Sequence, residues 1–248
     1  MEKHRPRSRR EALGLIGAFG VVALAGCSSD KKTGSVASST TRAPTGGSSG
    51  SPASCVLTPE LTQGPFFLTD HPNASHLVQD REGTPLTLAL TVVGQPCAPV
   101  DGARVDVWHC DAAGEYAGVS SAGGGPPPGG GGDGAATRAN DQTWCQGYQD
   151  AGTDGRVRFT TIYPGWYPGR AVHIHVKVFA GGDAVHTGQL FFPDGLSEAL
   201  FANPPHRGAP DTTNDADSIY AGGGAASLLA PRRRDDGYVA DAQLVVRV

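Results

Sequence analysis

The sequence predicts an all-β protein: a β-sandwich of mixed or antiparallel sheets with long loops and little helix. Three observations predict this class. Short runs rich in valine, leucine and threonine recur along the chain, 36 glycines and 19 prolines separate these runs, and only one segment has a helical pattern. Strands do not alternate with helices as they would in a parallel α/β sheet. With 248 residues, the chain is long enough for one sizeable domain with a buried core.

Six segments have the composition of β-strands, because they are rich in β-branched and apolar residues and are bounded by turn formers. They are residues 86–93, 103–108, 156–162, 171–179, 188–192 and 243–248. The helical segment is residues 197–203, with Ser197 as a candidate N-cap. Residues 121–136 are almost entirely glycine, proline and alanine, which predicts a surface loop.

Residues 1–27 are predicted to be an export signal with a lipid-attachment site. A basic start precedes an apolar run, residues 12–26, that is too short to remain as a membrane span. The run leads into Cys27 through Leu-Ala-Gly, which resembles the lipobox of bacterial lipoproteins, and Arg9-Arg10 resembles a twin-arginine signal. The general secretory route remains the alternative.

The remaining organisation follows from composition. Residues 28–53 are rich in serine, threonine and glycine, which is typical of a flexible tether, and residues 54–248 form the predicted folded domain. We expect an exported lipoprotein at the outer face of the cytoplasmic membrane or in the cell envelope, with its lipid anchor as the only membrane contact.

The charge distribution leads us to expect no nucleic-acid partner. The formal net charge is −4 and the sequence has no extended cluster of lysine and arginine. The run 232–234 consists of three arginines, but two aspartates follow it at once, so a solvated loop is expected there.

Four cysteines remain besides Cys27, and an even number in an exported domain favours two disulfides. Three pairings are possible. We expect Cys55–Cys97, which would tie the N-terminal segment to the first hairpin, and Cys110–Cys145, with free buried thiols as the alternative. No Cys-x-x-Cys spacing occurs, so a cysteine metal site is not expected.

A histidine pair is the strongest chemical signal in the sequence. His173 and His175 lie two residues apart on a predicted strand, so their side chains share one face, about 7 Å apart, and can bind one metal ion. The opposite face carries only valine and isoleucine, which predicts core. Tyr167 and Arg170 lie just upstream, and an anionic phenolate favours a hard ion such as Fe(III) over zinc.

Three stretches of the chain resemble the intradiol ring-cleavage dioxygenases. Residues 102–116 end in Gly-Glu-Tyr at Tyr116, residues 154–170 contain Tyr167, and residues 173–175 are the His-Ile-His pair. Residues 62–67, 187–192 and 213–220 also resemble the family, so the likeness runs from about residue 54 to 225. The chain departs from the family at Gln146, where many members have arginine, and in its glycine-rich insertion.

The resemblance implies a site and an activity. It implies that Tyr116, Tyr167, His173 and His175 bind Fe(III), with Tyr167 leaving when a catecholate binds. It implies further roles for Arg170 as a stabiliser of substrate charge, for Gln189 near the oxygen-binding side, and for Gly64, Pro65 and Trp166 as pocket residues. The implied reaction cleaves a catechol-type aromatic diol with O2 to a cis,cis-muconate-type diacid. No organic cofactor is expected, and the resemblance is compatible with a homo-oligomer.

Two alternatives have other chemistry. One is a non-catalytic β-sandwich lipoprotein that binds a carbohydrate, an aromatic compound or a protein partner. The other is a zinc or copper hydrolase or oxidase, for which this sequence lacks a carboxylate at suitable spacing. Some residues are expected to be structural: Tyr163 and the remaining tryptophans as core, His109 as a core histidine, and His71, His76, His186 and His206 as surface or loop residues.

Overall fold

The structure is a computed structural model that describes residues 55–95, 97–120 and 134–248. Two four-stranded sheets form a β-sandwich, which confirms the predicted fold class. The export signal, the tether and residues 121–133 of the glycine-rich segment lie outside the described residues. Within the described ranges, no helix is long and apolar enough to cross a membrane.

Among the described residues, eight strands and two short helices make up the regular structure. The strands are β1 (Pro85–Gly94), β2 (Arg104–Trp108), β3 (Gln146–Asp150), β4 (Arg156–Ile162), β5 (His173–Ala180), β6 (Asp183–Phe191), β7 (Arg232–Arg234) and β8 (Gly237–Val246). The helices are α1 (Asp194–Phe201) and α2 (Ser218–Ala221), with 3-10 turns at Asn214–Ala216 and Gly224–Ser227.

The two sheets differ in strand direction. The first sheet has the order β4-β1-β8-β7, in which β1 is antiparallel to β4 and parallel to β8. The second sheet has the order β3-β2-β5-β6 and is antiparallel throughout. One sheet is therefore mixed and the other antiparallel, as the sequence predicted.

The hydrophobic core consists of alternate residues of strands from both sheets. It contains Leu86, Leu88, Leu90 and Val92 of β1 and Ile174, Val176 and Val178 of β5. Burial of each such side chain stabilises the fold by about 1.5–3 kcal/mol relative to exposure. The predicted core face of β5 is thus confirmed. Because side chains alternate along a strand, His173 and His175 point to the opposite, outer face of the second sheet.

Five secondary-structure predictions need correction. Strand β6 begins at Asp183 and not at Gly188, because residues 183–187 also pair with β5. Strand β3 was missed because its sequence, Gln-Gly-Tyr-Gln-Asp, has no apolar alternation. The predicted loop at Arg232–Arg234 is wrong, since this segment pairs with β8 as an exposed edge strand. Strand β8 begins at Gly237 and not at Gln243, because residues 238–242 pair with β1 although alanine and aspartate are poor strand formers. Helix α1 begins at Asp194, so Ser197 lies inside the helix and not at its cap.

One predicted disulfide is confirmed and the other is wrong. Cys55 and Cys97 are bonded, whereas Cys110 and Cys145 are free, buried thiols. The backbone N–H of His109 donates to the carbonyl of Cys145, so Cys145 lies opposite His109 and not opposite Cys110. The two thiols also pack in separate apolar clusters, Cys110 beside Tyr116 and Cys145 beside Trp144. The offset in register is the physical reason for the missing bond.

Candidate metal centre

A row of four side chains crosses the outer face of the second sheet. Trp108 is opposed to Gln146 on β3 and to His175 on β5, and His175 is opposed to Gln189 on β6. Directly opposed residues of antiparallel strands place their side chains on the same face. The strand register therefore builds the floor of a site on the face that the sandwich core does not use.

Loops cover this floor. Phe66 stacks on Tyr116 with ring centroids 4.2 Å apart and meets Tyr167 edge-on at 5.7 Å. Gly64 has a φ of +71°, and a Cβ atom there would lie 3.1 Å from Cε1 of His175. A glycine at this position therefore allows the loop backbone to approach the histidine closely.

The structure brings the four predicted ligands together. The Nε2 atoms of His173 and His175 are 3.1 Å apart, and the Tyr167 hydroxyl lies 3.3 Å from Nε2 of His173. The Tyr116 ring centroid is 5.7 Å from that of Tyr167 and 6.3 Å from that of His175. All four residues are at most 5% exposed. The Tyr116 hydroxyl has no hydrogen-bond partner in the described part of the chain.

Burial keeps the two imidazoles uncharged. It lowers the pKa of His173 to about 3, and the nearby Arg170 guanidinium acts in the same direction. Burial and the neighbouring His173 also lower the pKa of His175 well below its ordinary value. Nδ1 of His173 lies 2.6 Å from the carbonyl oxygen of Ala171 and donates to it. The lone pair of His173 is therefore on Nε2, the atom that faces His175 and Tyr167.

Burial also keeps the two phenols protonated. It raises the pKa of Tyr116 well above its ordinary range and that of Tyr167 to about 12. A bound cation would favour ionisation of both phenols. No group of three His, Cys, Asp or Glu suited to a metal occurs in the residues that the structure describes. This site differs because tyrosines supply half of its donors, a set that fits a hard cation such as Fe(III).

Arg170 is held beside the cluster by three partners. Its Nη1 donates to the Tyr167 hydroxyl over 3.3 Å, its Nε donates to Asp217 over 2.9 Å, and its Nη2 donates to Oε1 of Gln189. Nε2 of Gln189 in turn donates to the carbonyl of Thr62 over 2.8 Å. The structure thus places Arg170 next to Tyr167, and Gln189 next to Arg170 and opposite His175. Sequence reasoning did not find Asp217, whose only signal was its position in the family-like stretch 213–220.

Of the predicted pocket residues, Gly64 lies against His175, and the four donors are closed off from solvent. Pro65 and Trp166 are half-buried, and the Trp166 indole N–H donates to the carbonyl of Gly208. The guanidinium of Arg207 lies 3.9 Å from the centre of the Trp166 ring. Surface cavities of about 500, 670 and 270 Å³ are lined by other residues and hold none of this cluster. The donor geometry, and not cavity size, marks the site.

The structural residues are mostly as predicted. His109 is a core histidine bonded to the Thr161 hydroxyl and the Cys110 carbonyl, and Tyr163 is a core residue bonded to Ser197. His76 is exposed as expected. His71 and His206 lie in loops as expected, although both are buried. The prediction is wrong for His186, which is a buried residue of β6.

The fold and the cluster define a class of β-sandwich proteins with two tyrosines and two histidines on the outer face of one sheet. A family model with the description "Dioxygenase" matches residues 62–203. The chain belongs to the intradiol ring-cleavage dioxygenase family. No curated protein sequence matches the chain.

Solved structures agree with this family. An intradiol ring-cleavage dioxygenase from Tetranychus urticae is 28% identical with a TM-score of 0.70, and the match covers 78% of this chain and 95% of that one. The dioxygenase domain of a carbohydrate-binding fusion protein from Streptomyces sp. SirexAA-E is 29% identical with a TM-score of 0.57, covering 78% and 99%. A 3-chlorocatechol 1,2-dioxygenase from Rhodococcus opacus 1CP, at 19% identity, a TM-score of 0.54 and coverage of 76% and 72%, shares the fold.

Proposed function

We propose that this protein is an Fe(III)-dependent intradiol dioxygenase that cleaves a catechol-type ring with O2 to a cis,cis-muconate-type diacid. The observation that carries the proposal is the convergence of the His173 and His175 Nε2 atoms with the two buried phenols. Tyr116, Tyr167, His173 and His175 would hold the iron. When bound, iron supplies Lewis acidity and accepts electron density from a catecholate.

Tyr167 and Arg170 are suited to proton and charge handling. Tyr167 is the ligand that the family resemblance implies will yield its place to the substrate. As a phenolate it would accept a proton from a catechol hydroxyl, and the Nη1 donor of Arg170, 3.3 Å from its oxygen, would stabilise it before that transfer. The same guanidinium would stabilise negative charge that develops on the ring.

Aromatic and loop residues would exclude water from the reacting groups. Phe66 packs against both tyrosines, and Gly64 brings the loop backbone against His175. Pro65 and Trp166, the half-buried sequence neighbours of Phe66 and Tyr167, would contact the substrate ring. A dry site strengthens every electrostatic interaction within it, including that of Arg170 with an anionic substrate.

The decisive experiment uses purified, iron-reconstituted protein. We expect about one iron per chain, a red-purple phenolate-to-iron charge-transfer band, and oxygen uptake with a panel of catechols. Tyr167→Phe and His175→Ala should lose uptake, whereas Tyr163→Phe, which changes a buried tyrosine of the core, should keep colour and turnover. Colourless protein without stoichiometric iron would disprove the proposal. Binding of an aromatic diol without iron or oxygen uptake would favour the non-catalytic alternative.

We also propose that the protein is exported and anchored through a lipid on Cys27. The support is the basic start, the short apolar run and the Leu-Ala-Gly-Cys sequence. Cys27→Ser should move the protein from the membrane fraction to the soluble fraction, and retention in the membrane would contradict a lipid anchor. Replacing Arg9 and Arg10 with lysine should block export if the twin-arginine route is used.

A further inference from the structure

Asp217 has a fully buried carboxylate that receives four hydrogen bonds. Its Oδ2 accepts from Nε of Arg170 and from the backbone N–H of Ala171, each over 2.9 Å. Its Oδ1 accepts from the N–H groups of Ile219 and Tyr220, over 2.7 and 3.4 Å, as the N-cap of α2. Oδ1 therefore caps helix α2, and Oδ2 binds the Arg170–Ala171 segment beside the site.

Both contacts of Oδ2 restrain Arg170. The first binds its guanidinium directly. The second binds the peptide that joins Arg170 to Ala171, so the point from which the side chain departs is also fixed. With Nε held, the Nη1 and Nη2 groups face the Tyr167 hydroxyl and the Gln189 amide. A planar guanidinium with all three nitrogens engaged has a single orientation.

The charge of Asp217 suits this arrangement. Burial alone would raise its pKa, but the Arg170 guanidinium and the N–H groups of Ala171 and Ile219 outweigh burial and lower the pKa overall. The group is thus a carboxylate, and it neutralises an arginine that is largely buried. Loss of one partner of such a pair leaves the other charge uncompensated.

We propose that Asp217 is a positioning residue of the active site, which acts through Arg170 by holding its guanidinium against Tyr167 and Gln189. The inference rests on the proposed function where it concerns turnover. Its geometric part, the fixing of Arg170, needs neither iron nor substrate.

The test compares Asp217→Asn with a matched control, Asp215→Asn. Asparagine has the shape of aspartate, and its one oxygen can still cap α2. Its NH2 group then takes the place of Oδ2 and cannot accept the hydrogen bonds from Arg170 Nε and the Ala171 N–H. Asp215 lies two residues away and is exposed, so its variant removes the same charge without these contacts. Asp217→Ser retains a good helix cap and takes the place of the asparagine variant if that variant does not fold.

The expected result is specific to a positioning role. Asp217→Asn should keep its iron and its charge-transfer band and lose about 100-fold in kcat, the cost of misplacing a reacting group. Asp215→Asn should retain wild-type kcat. In an Arg170→Ala background, Asp217→Asn should lower kcat by less than about two-fold, because the effects of residues that act through one another are not additive. Losses that multiply in the double variant, or unchanged kcat in Asp217→Asn, would overturn the proposal.

A second readout separates this inference from the proposed function. If the wild type cleaves no catechol, the proposed function fails, but the Arg170 Nε–H signal in the NMR spectrum of iron-free protein still decides the geometric part. That signal, assigned by its absence in Arg170→Ala, should be protected from exchange in the wild type and in Asp215→Asn. It should lose protection in Asp217→Asn and Asp217→Ser. Rapid exchange in the wild type would contradict the inference.

Discussion

The Trp108 indole lies flat on the His175 imidazole, with ring centroids 4.9 Å apart and planes only 5° from parallel. The two residues are directly opposed across β2 and β5, so the sheet register creates the stack. Nδ1 of His175 has no hydrogen-bond partner among the residues described. The orientation of this ring therefore depends on the stack and on the contact of its Nε2 with His173, whereas the orientation of His173 is also set by a hydrogen bond to Ala171.

Replacement of Trp108 should weaken iron binding. We expect Trp108→Leu to lower iron affinity by about ten-fold, since groups that orient a ligand typically matter by that much or more. Chelator competition measures the effect. Trp144→Leu is the control, because Trp144 is equally buried but packs in a cluster away from the donors. Equal loss of iron affinity in both variants would show that general destabilisation, and not ring orientation, is responsible.

Gly64→Ala should weaken iron binding by more than the backbone strain of an alanine at this position explains. The left-handed φ of +71° costs a non-glycine residue about 1–2 kcal/mol, and the new Cβ would lie 3.1 Å from the His175 ring. Gly181→Ala is matched, since Gly181 has a φ of +61° and nothing within 4 Å of such a Cβ. Both should lose similar unfolding free energy in denaturant titrations. Only Gly64→Ala should also lose iron, and iron retention there would contradict the close approach.

Iron loading should release protons. Because burial raises the pKa of Tyr167 to about 12 and that of Tyr116 well above its ordinary value, both phenols are protonated in the metal-free protein at neutral pH. Binding of Fe(III) to both should release about two protons per site, and about one in Tyr116→Phe. A weakly buffered titration with a pH indicator measures this. A full release of two protons in the variant would remove Tyr116 from the ligand set.

Stability should fall in acid partly through His109. Burial lowers its pKa from 6.5 to about 4, so the unfolded chain binds this proton first as pH decreases. The contribution is present above pH 6.5 and is lost as pH falls toward 4, on the order of 3 kcal/mol in all. His109→Gln should therefore make the free energy of unfolding less dependent on pH in this window. His76→Gln, at an exposed site, should leave the slope unchanged.

Cys110 and Cys145 should be inert thiols in the native protein. Burial raises the pKa of both thiols, and a protonated, inaccessible thiol reacts slowly. Iodoacetamide should label them only after denaturation, without any reductant, as peptide mass spectrometry would show. Cys55 and Cys97 should require reduction first, because they form a disulfide. A Cys110–Cys145 cross-linked peptide would refute the register argument.

Local patterns in the sequence carried most of the fold and the ligand set. The alternation of β5 put valine and isoleucine in the core and the histidine pair on the other face, because strand geometry fixes which residues share a face. The family-like stretches supplied Tyr116 and Tyr167. Strand β3 was not predicted, because its pairing with β2, and not its own composition, makes it a strand.

What only the tertiary structure decided is which distant groups meet. The cysteine spacing allowed three pairings, and the register of β2 against the segment before β3 left two thiols apart. Nothing near Arg170 in the sequence indicated Asp217, 47 residues away, or the stack of Trp108 on His175. The sequence determined what each segment can form, because backbone and side-chain preferences are local. The partners were decided by folding, because hydrogen bonds and ring contacts depend on distances that only the packed chain sets.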